Sequence, residues 1–206
     1  MNICNVKNLI FSSSASEDGN PNSLPIDEKH PMLPLNPYAE SKKHIEDILN
    51  HLAKSNSSWK IISLRYFNPV GAHNSGLIGE NPIGIPNNLV PYISRVALGE
   101  LPHLLIYGND YSTDDGTGVR DYIHVVDLAK GHCSAVDYLS KNIQSFQVFN
   151  LGTGNGISVL EVVKVFEDVS GIKIPYKFTS RRIGDSAECY ANSSRALKFL
   201  KWSAVH

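Results

Sequence analysis

The chain has 206 residues, of which 42% are apolar and 19% charged, a composition typical of a folded protein with a hydrophobic core. Nineteen basic and twenty acidic residues leave a net charge of −1, which argues against binding to nucleic acid or to an anionic membrane. No apolar stretch approaches the ~18 residues of a membrane helix, and we predict no signal peptide. Three scattered cysteines fit neither a disulfide framework nor a zinc site. The composition predicts a cytoplasmic protein.

Strands and helices alternate in the predicted secondary structure. The first strand ends in small hydroxyl residues, and Asn36-Pro37 has the form of an N-cap followed by proline at the first helical position. In chain order we predict strands over 6–14, 59–69, 104–107, 146–151 and 175–179, and helices over 36–54, 87–98, 125–139 and 159–170. Strands separated by helices of this length are typical of an α/β protein with a parallel sheet.

One glycine-rich turn invites comparison with a dinucleotide-binding loop. Gly152, Gly154 and Gly156 follow a predicted strand and precede a predicted helix. The third glycine comes one residue early for the G-x-G-x-x-G pattern, and no acidic residue closes a strand about 20 positions later. We therefore favour a strand-to-helix turn that needs small residues. We also predict no metal site, because the acidic loop from Asp110 resembles a calcium loop only at its start.

Tyr38 and Lys42 are four residues apart and share one face of the predicted helix. An ammonium beside a phenol favours the phenolate, which makes tyrosine a usable base near neutral pH. The spacing alone is weak evidence, but Ser14 ends the preceding strand, and open parallel sheets bind ligands beyond the carboxyl ends of their strands. Ser14 and Tyr38 are thus placed to reach one substrate hydroxyl. The alternative role for Ser14 is structural: its hydroxyl would cap the end of the strand through a local hydrogen bond to the backbone.

Longer motifs are more specific than this pair. They are SSSA, NPYxxSK, LRYFNPxGAH, GIPNNL, NLGTGxGxSV, RRxGD and the run GNDYxTxDGTGVRDYIHVxDLAxGH. The set resembles the UDP-glucose 4-epimerase family of extended short-chain dehydrogenase/reductases, and the resemblance extends from Val6 to Trp202. It implies a Rossmann-type parallel sheet with a smaller C-terminal substrate-binding region.

The resemblance implies NAD as the cofactor and reversible 4-epimerisation of UDP-glucose and UDP-galactose, a reaction of galactose metabolism, by transient oxidation at C4. Tyr38 would take the proton of the 4-hydroxyl while the hydride passes to the nicotinamide, and Ser14 would hydrogen-bond the same oxygen. Lys42 would bind the nicotinamide ribose. Tyr66 and Phe67 match positions beside the nicotinamide, and core packing is the alternative for both rings.

The resemblance also implies a UDP-hexose site. The N–H groups that open a helix suit a diphosphate, and guanidinium forks fit phosphate oxygens. Besides Ser14, the matching positions are Asn68, Asn87, Asn88, Leu89, Tyr107, Arg120, Arg182, Asp185 and Cys189. Where some members of the family carry a bulky aromatic residue, a cysteine at 189 leaves room for an acetamido group. UDP-GlcNAc and UDP-GalNAc are therefore further expected substrates.

The chain departs from the family at its N-terminus, because the glycine-rich unit that holds the pyrophosphate of NAD would precede Met1. We expect an N-terminally truncated chain. Residues 1–69 would form the C-terminal part of the NAD-binding Rossmann domain, and 70–206 mostly the UDP-sugar-binding region, with about 119–151 returning to the sheet. Such a chain is expected, by itself, neither to hold NAD tightly nor to epimerise.

Two alternatives stay open. One is an inactive fragment or a UDP-sugar-binding partner of an epimerase chain. The other is an NAD-dependent nucleotide-sugar dehydratase or decarboxylase, which needs an acidic catalytic residue near Ser14, a role that Glu17 or Asp18 would have to fill. Family members commonly form homodimers through the helix that bears Tyr38, so the resemblance also implies a homodimer.

Overall fold

A computed structural model describes residues 1, 3–19, 21–141 and 144–206, without the side chains of Glu17 and Asp18. The helices are α1 (Pro37–Ser55), α2 (Leu89–Ala97), α3 (Val125–Leu139), α4 (Val159–Ser170) and α5 (Ser194–Leu200). The strands are β1 (Asn8–Ser14), β2 (Lys60–Tyr66), β3 (Asn68–Val70), β4 (Leu104–Tyr107), β5 (Val119–Arg120), β6 (Tyr122–His124), β7 (Phe146–Leu151), β8 (Ile157–Ser158), β9 (Tyr176–Thr179) and β10 (Glu188–Cys189). A short 3-10 helix, Ala15–Asp18, follows β1.

The main sheet consists of β1, β2 and β7, all parallel, with β2 in the centre. Side chains alternate across β2: Ile61 packs with residues of α1, whereas Ile62 and Leu64 pack with residues of α3 and α5. All three are fully buried. A strand that is apolar on both faces is typical of a parallel sheet covered by helices on both sides. The predicted α/β class is confirmed.

Helix α1 is held at its start and at its middle. Asn36 Oδ1 accepts a first-turn N–H at 2.9 Å, as predicted for an N-cap. On the buried face, Glu46 Oε2 accepts Arg65 Nη2 at 2.7 Å and Oε1 accepts Ser63 Oγ at 2.6 Å. Burial raises the pKa of Glu46, but the hydrogen bonds and charge of Arg65 outweigh it and hold the pKa below its ordinary value. The ion pair therefore fixes α1 to the central strand.

The single strand predicted over 59–69 is wrong, because the chain leaves the main sheet at Phe67. Its N–H still donates to Leu151 O of β7, at 3.3 Å, but the N–H of Asn68 donates to Asp121 O, at 2.9 Å. The following strand, β3, pairs with β6 in a different sheet. The apolar pattern runs through this change of partner, and so the segment resembles one continuous strand.

Beyond residue 67, short strands form three small sheets. The predicted strands over 104–107 and 175–179 become β4 and β9, which pair in parallel, and β5 lies between β8 and β10. The strands β5, β6, β8 and β10 were not predicted, because two or three residues are too few to show a period.

Asp121 joins the small sheets to the end of β7. Its fully buried carboxylate accepts the N–H groups of Thr153 at 2.8 Å, Gly154 at 2.9 Å and Ala191 at 3.1 Å, and the hydroxyl of Thr153 at 2.7 Å. A Cβ at Gly152 would lie 2.5 Å from Asp121 Oδ2. The glycine-rich turn is thus packed against a buried carboxylate, which favours the small-residue turn over a nucleotide loop.

The C-terminal residues pack against the start of α3. Trp202 Nε1 donates to Asp127 O at 2.9 Å, and the Asp127 carboxylate accepts the N–H groups of Val205 and His206, both at 2.8 Å. Helix α5, which precedes this segment, was not predicted from the sequence. Within the described ranges, no helix combines the length and apolar character needed to cross a bilayer.

Candidate active site

The carboxyl ends of the three main-sheet strands meet at one edge. Ser14, Tyr66 and Leu151 are register partners across β1, β2 and β7. Lys42, in the second turn of α1, reaches the same edge, where its Nζ donates to the carbonyl oxygen of residue 12 at 2.8 Å. We call Ser14, Tyr38, Lys42 and Tyr66 the sheet-edge cluster. It brings the predicted catalytic residues to the place where an open parallel sheet binds its ligand.

The structure places Tyr38 and Lys42 side by side. Lys42 Nζ lies 5.5 Å from the centre of the Tyr38 ring and 5.1 Å from that of Phe11. Its hydrogen bond to β1 restricts the ammonium to this position. The Tyr38 side chain is 57% exposed. A restrained ammonium therefore stands beside a phenol that a substrate can reach.

Ser14 performs a local structural role at the end of β1. Its Oγ accepts the N–H of Ser16 at 3.1 Å and lies 2.7 Å from Ser16 Oγ. A serine hydroxyl has one donor and two acceptor sites, so capping and substrate contact are compatible. The side chains of Glu17 and Asp18, on which the dehydratase alternative depends, lie outside the described part of the structure.

The two aromatic residues that end β2 differ in their surroundings. Phe67 is buried in a cluster with Ala15, Ile26 and Ala191, which favours core packing over contact with a nicotinamide. Tyr66 is half-buried at the sheet edge, with its ring 5.6 Å from a histidine ring of α3. Of the two, Tyr66 is the better placed for a ligand.

A cavity of about 510 Å³ begins two residues beyond Tyr66. It lies between β4, the start of α2 and the loops that carry β5, β6 and the RRxGD motif. The predicted substrate residues that line it are Asn68, Asn87, Asn88, Leu89, Tyr107, Arg120, Arg182 and Asp185. Residues from distant parts of the sequence thus converge on one concave site, as small-molecule binding requires.

Two guanidinium groups approach one carboxylate in this cavity. Arg182 Nε donates to Asp185 Oδ2 at 2.9 Å, and Arg120 Nη2 lies 4.0 Å from Asp185 Oδ1. The Arg182 guanidinium also lies over the Tyr107 ring, 4.8 Å from its centre. Each guanidinium carries five N–H donors, so these contacts leave both groups able to bind an anion.

The N-terminus of α2 adds a third source of positive potential. Asn88 is the N-cap, but its side chain does not cap the helix; its Nδ2 donates to Glu80 Oε1 at 2.6 Å. Asn87 and Leu89 line the cavity beside it. Because the first N–H groups of a helix attract anions, the cavity is suited to a phosphate or diphosphate.

Cys189 does not line this cavity. On β10 it is the register partner of Arg120, and its half-buried side chain packs against the cluster that contains Phe67. Phe67 follows Tyr66 directly. Cys189 is therefore next to Arg120 along the sheet and in contact with the core cluster that contains Phe67.

Tyr111 and Tyr122, for which the sequence indicated no role, also line the cavity. Burial raises the pKa of Tyr122, on β6, to about 12, against the opposing charges of Arg120 and Arg182. Tyr111 is only 6% exposed, and burial raises its pKa as well. Both lie in the long run that begins at Gly108, but the run does not reveal which of its side chains face a ligand.

The described residues fit the nicotinamide side of NAD but not its pyrophosphate. At the carboxyl edge of the sheet, Tyr38 and Lys42 supply the polar groups that a nicotinamide ribose needs. The pyrophosphate needs a glycine-lined cradle at a helix N-terminus. The glycine-rich turn after β7 offers none, because even a Cβ at Gly152 would collide with Asp121.

Comparison with known proteins agrees with this geometry. The model of the NAD dependent epimerase/dehydratase family matches residues 1–152. The chain is 57% identical over 201 residues to UDP-glucose 4-epimerase of Bos taurus and 53% identical over 199 residues to that of Bacillus subtilis (strain 168). Each match covers 97% of this chain and 58% of the relative. The chain thus spans little more than half the length of these relatives.

The fold has the same relatives. The crystal structure of UDP-glucose 4-epimerase from Bifidobacterium longum in complex with NAD+ and UDP superimposes with a TM-score of 0.96 at 54% identity. That match covers 100% of this chain and 61% of the crystallised one. The described structure is therefore the same fold over the shared part.

Proposed function

This chain belongs to the NAD dependent epimerase/dehydratase family, and we propose that its site serves the NAD-dependent interconversion of UDP-glucose and UDP-galactose, a reaction of galactose metabolism. The observation that carries the proposal is the cavity in which two guanidinium groups and a helix N-terminus converge, two residues from the sheet-edge cluster. A diphosphate held there would present its sugar to Tyr38.

In the proposed mechanism Tyr38 is the base. Its exposed side chain acts as the phenolate, which takes the proton of the sugar 4-hydroxyl, and the neighbouring Lys42 ammonium stabilises that phenolate. Ser14 hydrogen-bonds the same sugar oxygen, and Lys42 also binds the nicotinamide ribose. NAD, held on its nicotinamide side by Tyr38 and Lys42, would supply a reversible hydride acceptor for C4 of the sugar. Tyr38 then returns the proton.

The cavity residues hold the nucleotide. Arg120 and Arg182 bind the two phosphates together with the first N–H groups of α2. Hydrogen bonds to a charged phosphate are stronger than those between neutral groups, and a helix N-terminus favours an anion. Asp185 accepts hydrogen bonds from the ribose hydroxyls, and Tyr107 with its strand lies along the uracil. Asn68, at the end of the cavity nearest Tyr66, contacts the sugar.

The substrate half of the proposal can be tested on the 206-residue chain itself. We expect the chain to bind UDP, because all the cavity residues belong to it, but neither to retain NAD during purification nor to convert UDP-galactose. Calorimetric titration with UDP, the absorbance spectrum of the purified protein and a coupled UDP-glucose assay measure these three properties. Failure to bind UDP would overturn the proposed function, whereas turnover would contradict only the prediction that the chain alone is inactive.

The catalytic half needs a chain that spans the full length of the relatives. Such a chain is expected to retain NAD and to interconvert the two UDP-hexoses. Conversion of UDP-glucose to a dehydrated product instead would favour the dehydratase alternative. UDP binding with neither reaction would favour the UDP-sugar-binding alternative.

We also propose that the site accepts UDP-GlcNAc and UDP-GalNAc. The support is the position of Cys189, a small side chain between Arg120 and the cluster around Phe67. Cys189→Tyr in the longer, active chain is expected to suppress conversion of the acetamido sugars and to spare UDP-galactose. Equal loss on both sugars would overturn this proposal.

We propose a homodimer that forms through α1. Ile45 and Ile48 of this helix are 38% and 64% exposed and lie on one face, next to the partly buried Leu52. Ile48→Lys is expected to shift a dimer to monomer in sedimentation velocity. Lys54→Glu, a charge change on the last turn of the same helix, serves as the control.

The division of the chain and its location also remain proposals. We propose that residues 1–69 belong to the NAD-binding domain and 70–206 mostly to the UDP-sugar-binding region, with about 119–151 returning to the sheet. The pairing of β7 with β2 supports the return of this segment to the main sheet. We propose a cytoplasmic location, supported by a sequence whose three cysteines are too few and too scattered for a disulfide framework.

A further inference from the structure

Tyr111 is buried, yet its hydroxyl has no hydrogen-bond partner among the residues that the structure describes. The residue lines the cavity and lies in the loop between β4 and β5. Its backbone is fixed by two hydrogen bonds, from its N–H to Gly116 O at 3.0 Å and from the N–H of Thr113 to its carbonyl at 2.9 Å. A buried hydroxyl without a partner is costly, so it calls for an explanation.

The ring of Tyr111 is held as firmly as its backbone. The Arg181 guanidinium stacks on one side, 4.2 Å from the ring centre. On another side lies Gly108, where an added Cβ would be 2.6 Å from Tyr111 Cε2. Gly108 also has a φ of +84°, which disfavours any other residue there. The hydroxyl is therefore fixed in place, as a preorganised ligand contact requires.

Several charged side chains lie near enough to this hydroxyl to affect its pKa. The groups whose charges act on it are Asp185, Arg120, Arg181 and Arg182, and three of these four line the cavity. Burial, followed by the Asp185 charge, raises the pKa of Tyr111, so the hydroxyl stays protonated and able to donate. Three guanidinium groups favour an anionic acceptor over a neutral one.

We infer that Tyr111 is a further substrate-binding residue, whose hydroxyl donates a hydrogen bond to an anionic oxygen of the diphosphate held by Arg120 and Arg182. The inference rests on the proposed function, because it takes the UDP-sugar as the ligand. It adds a neutral hydrogen-bond donor to the two guanidinium groups. It also gives a function to a buried tyrosine hydroxyl that has no partner among the described residues.

Tyr111→Phe tests this, because it removes the hydroxyl and keeps the ring between Arg181 and Gly108. We expect the dissociation constant for UDP to rise about tenfold, as for the loss of a hydrogen bond to a charged group. The dissociation constant for uridine, which has no phosphate, should stay within about twofold. The midpoint of thermal unfolding should be unchanged or higher, because the free protein loses an unpartnered hydroxyl.

The control is Tyr176→Phe, which removes the hydroxyl of a tyrosine on β9 that is 43% exposed and does not line the cavity. It should leave UDP binding unchanged. Unchanged UDP affinity in Tyr111→Phe overturns the inference while the wild-type chain still supports the proposed function. Equal losses for UDP and uridine would assign the hydroxyl to the ribose or base and also overturn it. A wild-type chain that binds no UDP overturns both.

Discussion

The cavity and the sheet-edge cluster differ in how completely this chain encloses them. Around the cavity, strands from three small sheets and the start of α2 converge, and of the tyrosines that line it Tyr111 is buried and Tyr122 is half-buried. At the sheet edge, Tyr38 is 57% exposed, and β1 pairs only with β2 among the described strands. The cavity is therefore more enclosed by this chain than the sheet-edge cluster is.

This difference separates the residues that we expect to bind the substrate from those that we expect to carry out the reaction. The residues that we expect to hold the diphosphate all lie in this chain, but the cofactor's pyrophosphate finds no cradle in the part that the structure describes. The relatives are longer, since this chain covers 58% of them. We therefore expect UDP affinity and epimerase turnover to respond to different substitutions.

The largest effect is expected for Tyr38→Phe in a chain that spans the full length of the relatives. Loss of a general base should lower the epimerisation rate by roughly 10²–10⁴-fold. UDP affinity should not change, because Tyr38 lies outside the cavity. A coupled assay and calorimetry measure the two. An undiminished rate would refute the mechanism, and a parallel loss of UDP affinity would refute the separation.

Asp121→Ala should cost the most stability. Four donors to its buried carboxylate would lose their acceptor, which we expect to lower the free energy of unfolding by about 3–5 kcal/mol. UDP affinity should fall with it, because Asp121 joins the cavity strands to β7. Urea unfolding measures the change. Asp137→Ala, an exposed position on α3, is the control, and an equal effect there would contradict the role of Asp121.

Arg182→Ala should weaken UDP binding without unfolding the chain. Removal of a guanidinium from a phosphate should raise the dissociation constant by roughly 10–100-fold. Because the Arg182 side chain is 52% exposed, the unfolding midpoint should change little. Lys173→Ala removes a cation that is 90% exposed and far from the cavity lining, and it should leave UDP affinity unchanged. Full UDP affinity in Arg182→Ala would refute the assignment of the diphosphate site.

The smallest effect concerns the pH dependence of the unfolding free energy, to which the Glu46–Arg65 ion pair between α1 and β2 contributes. Burial raises the pKa of Glu46, but Arg65 lowers it more, so the folded value lies below the ordinary 4.5. A depressed pKa contributes stability above the unfolded value, and that contribution is lost as pH falls from about 4.5 through the folded pKa. Glu46→Gln should therefore flatten the fall in unfolding free energy below pH 5, relative to Asp47→Asn. An unchanged slope would contradict the role of the ion pair.

The sequence predicted the long elements, and eight of the residues that it suggested for substrate binding line one cavity. Helices α1, α3 and α4 and strands β1, β4, β7 and β9 lie within about two residues of their predicted bounds, because each carries a full hydrophobic period or a clear cap. The strands β5, β6, β8 and β10 carry no such signal, and they owe their formation to partners elsewhere, such as the hydrogen bonds that converge on Asp121. The break at Phe67 was missed for the same reason.

Periodicity, spacing and residue type are local properties, and they were enough to predict the parallel α/β sheet, the tyrosine–lysine pair on one helical face and the motifs that indicate the family. The three-dimensional structure was needed to show that Phe67 is core, that Asn68, Tyr107, Arg120 and Arg182 share one cavity, and that Tyr111 is buried near charged side chains. Those facts depend on which strand each segment pairs with, and pairing is set by contacts between residues far apart in the chain.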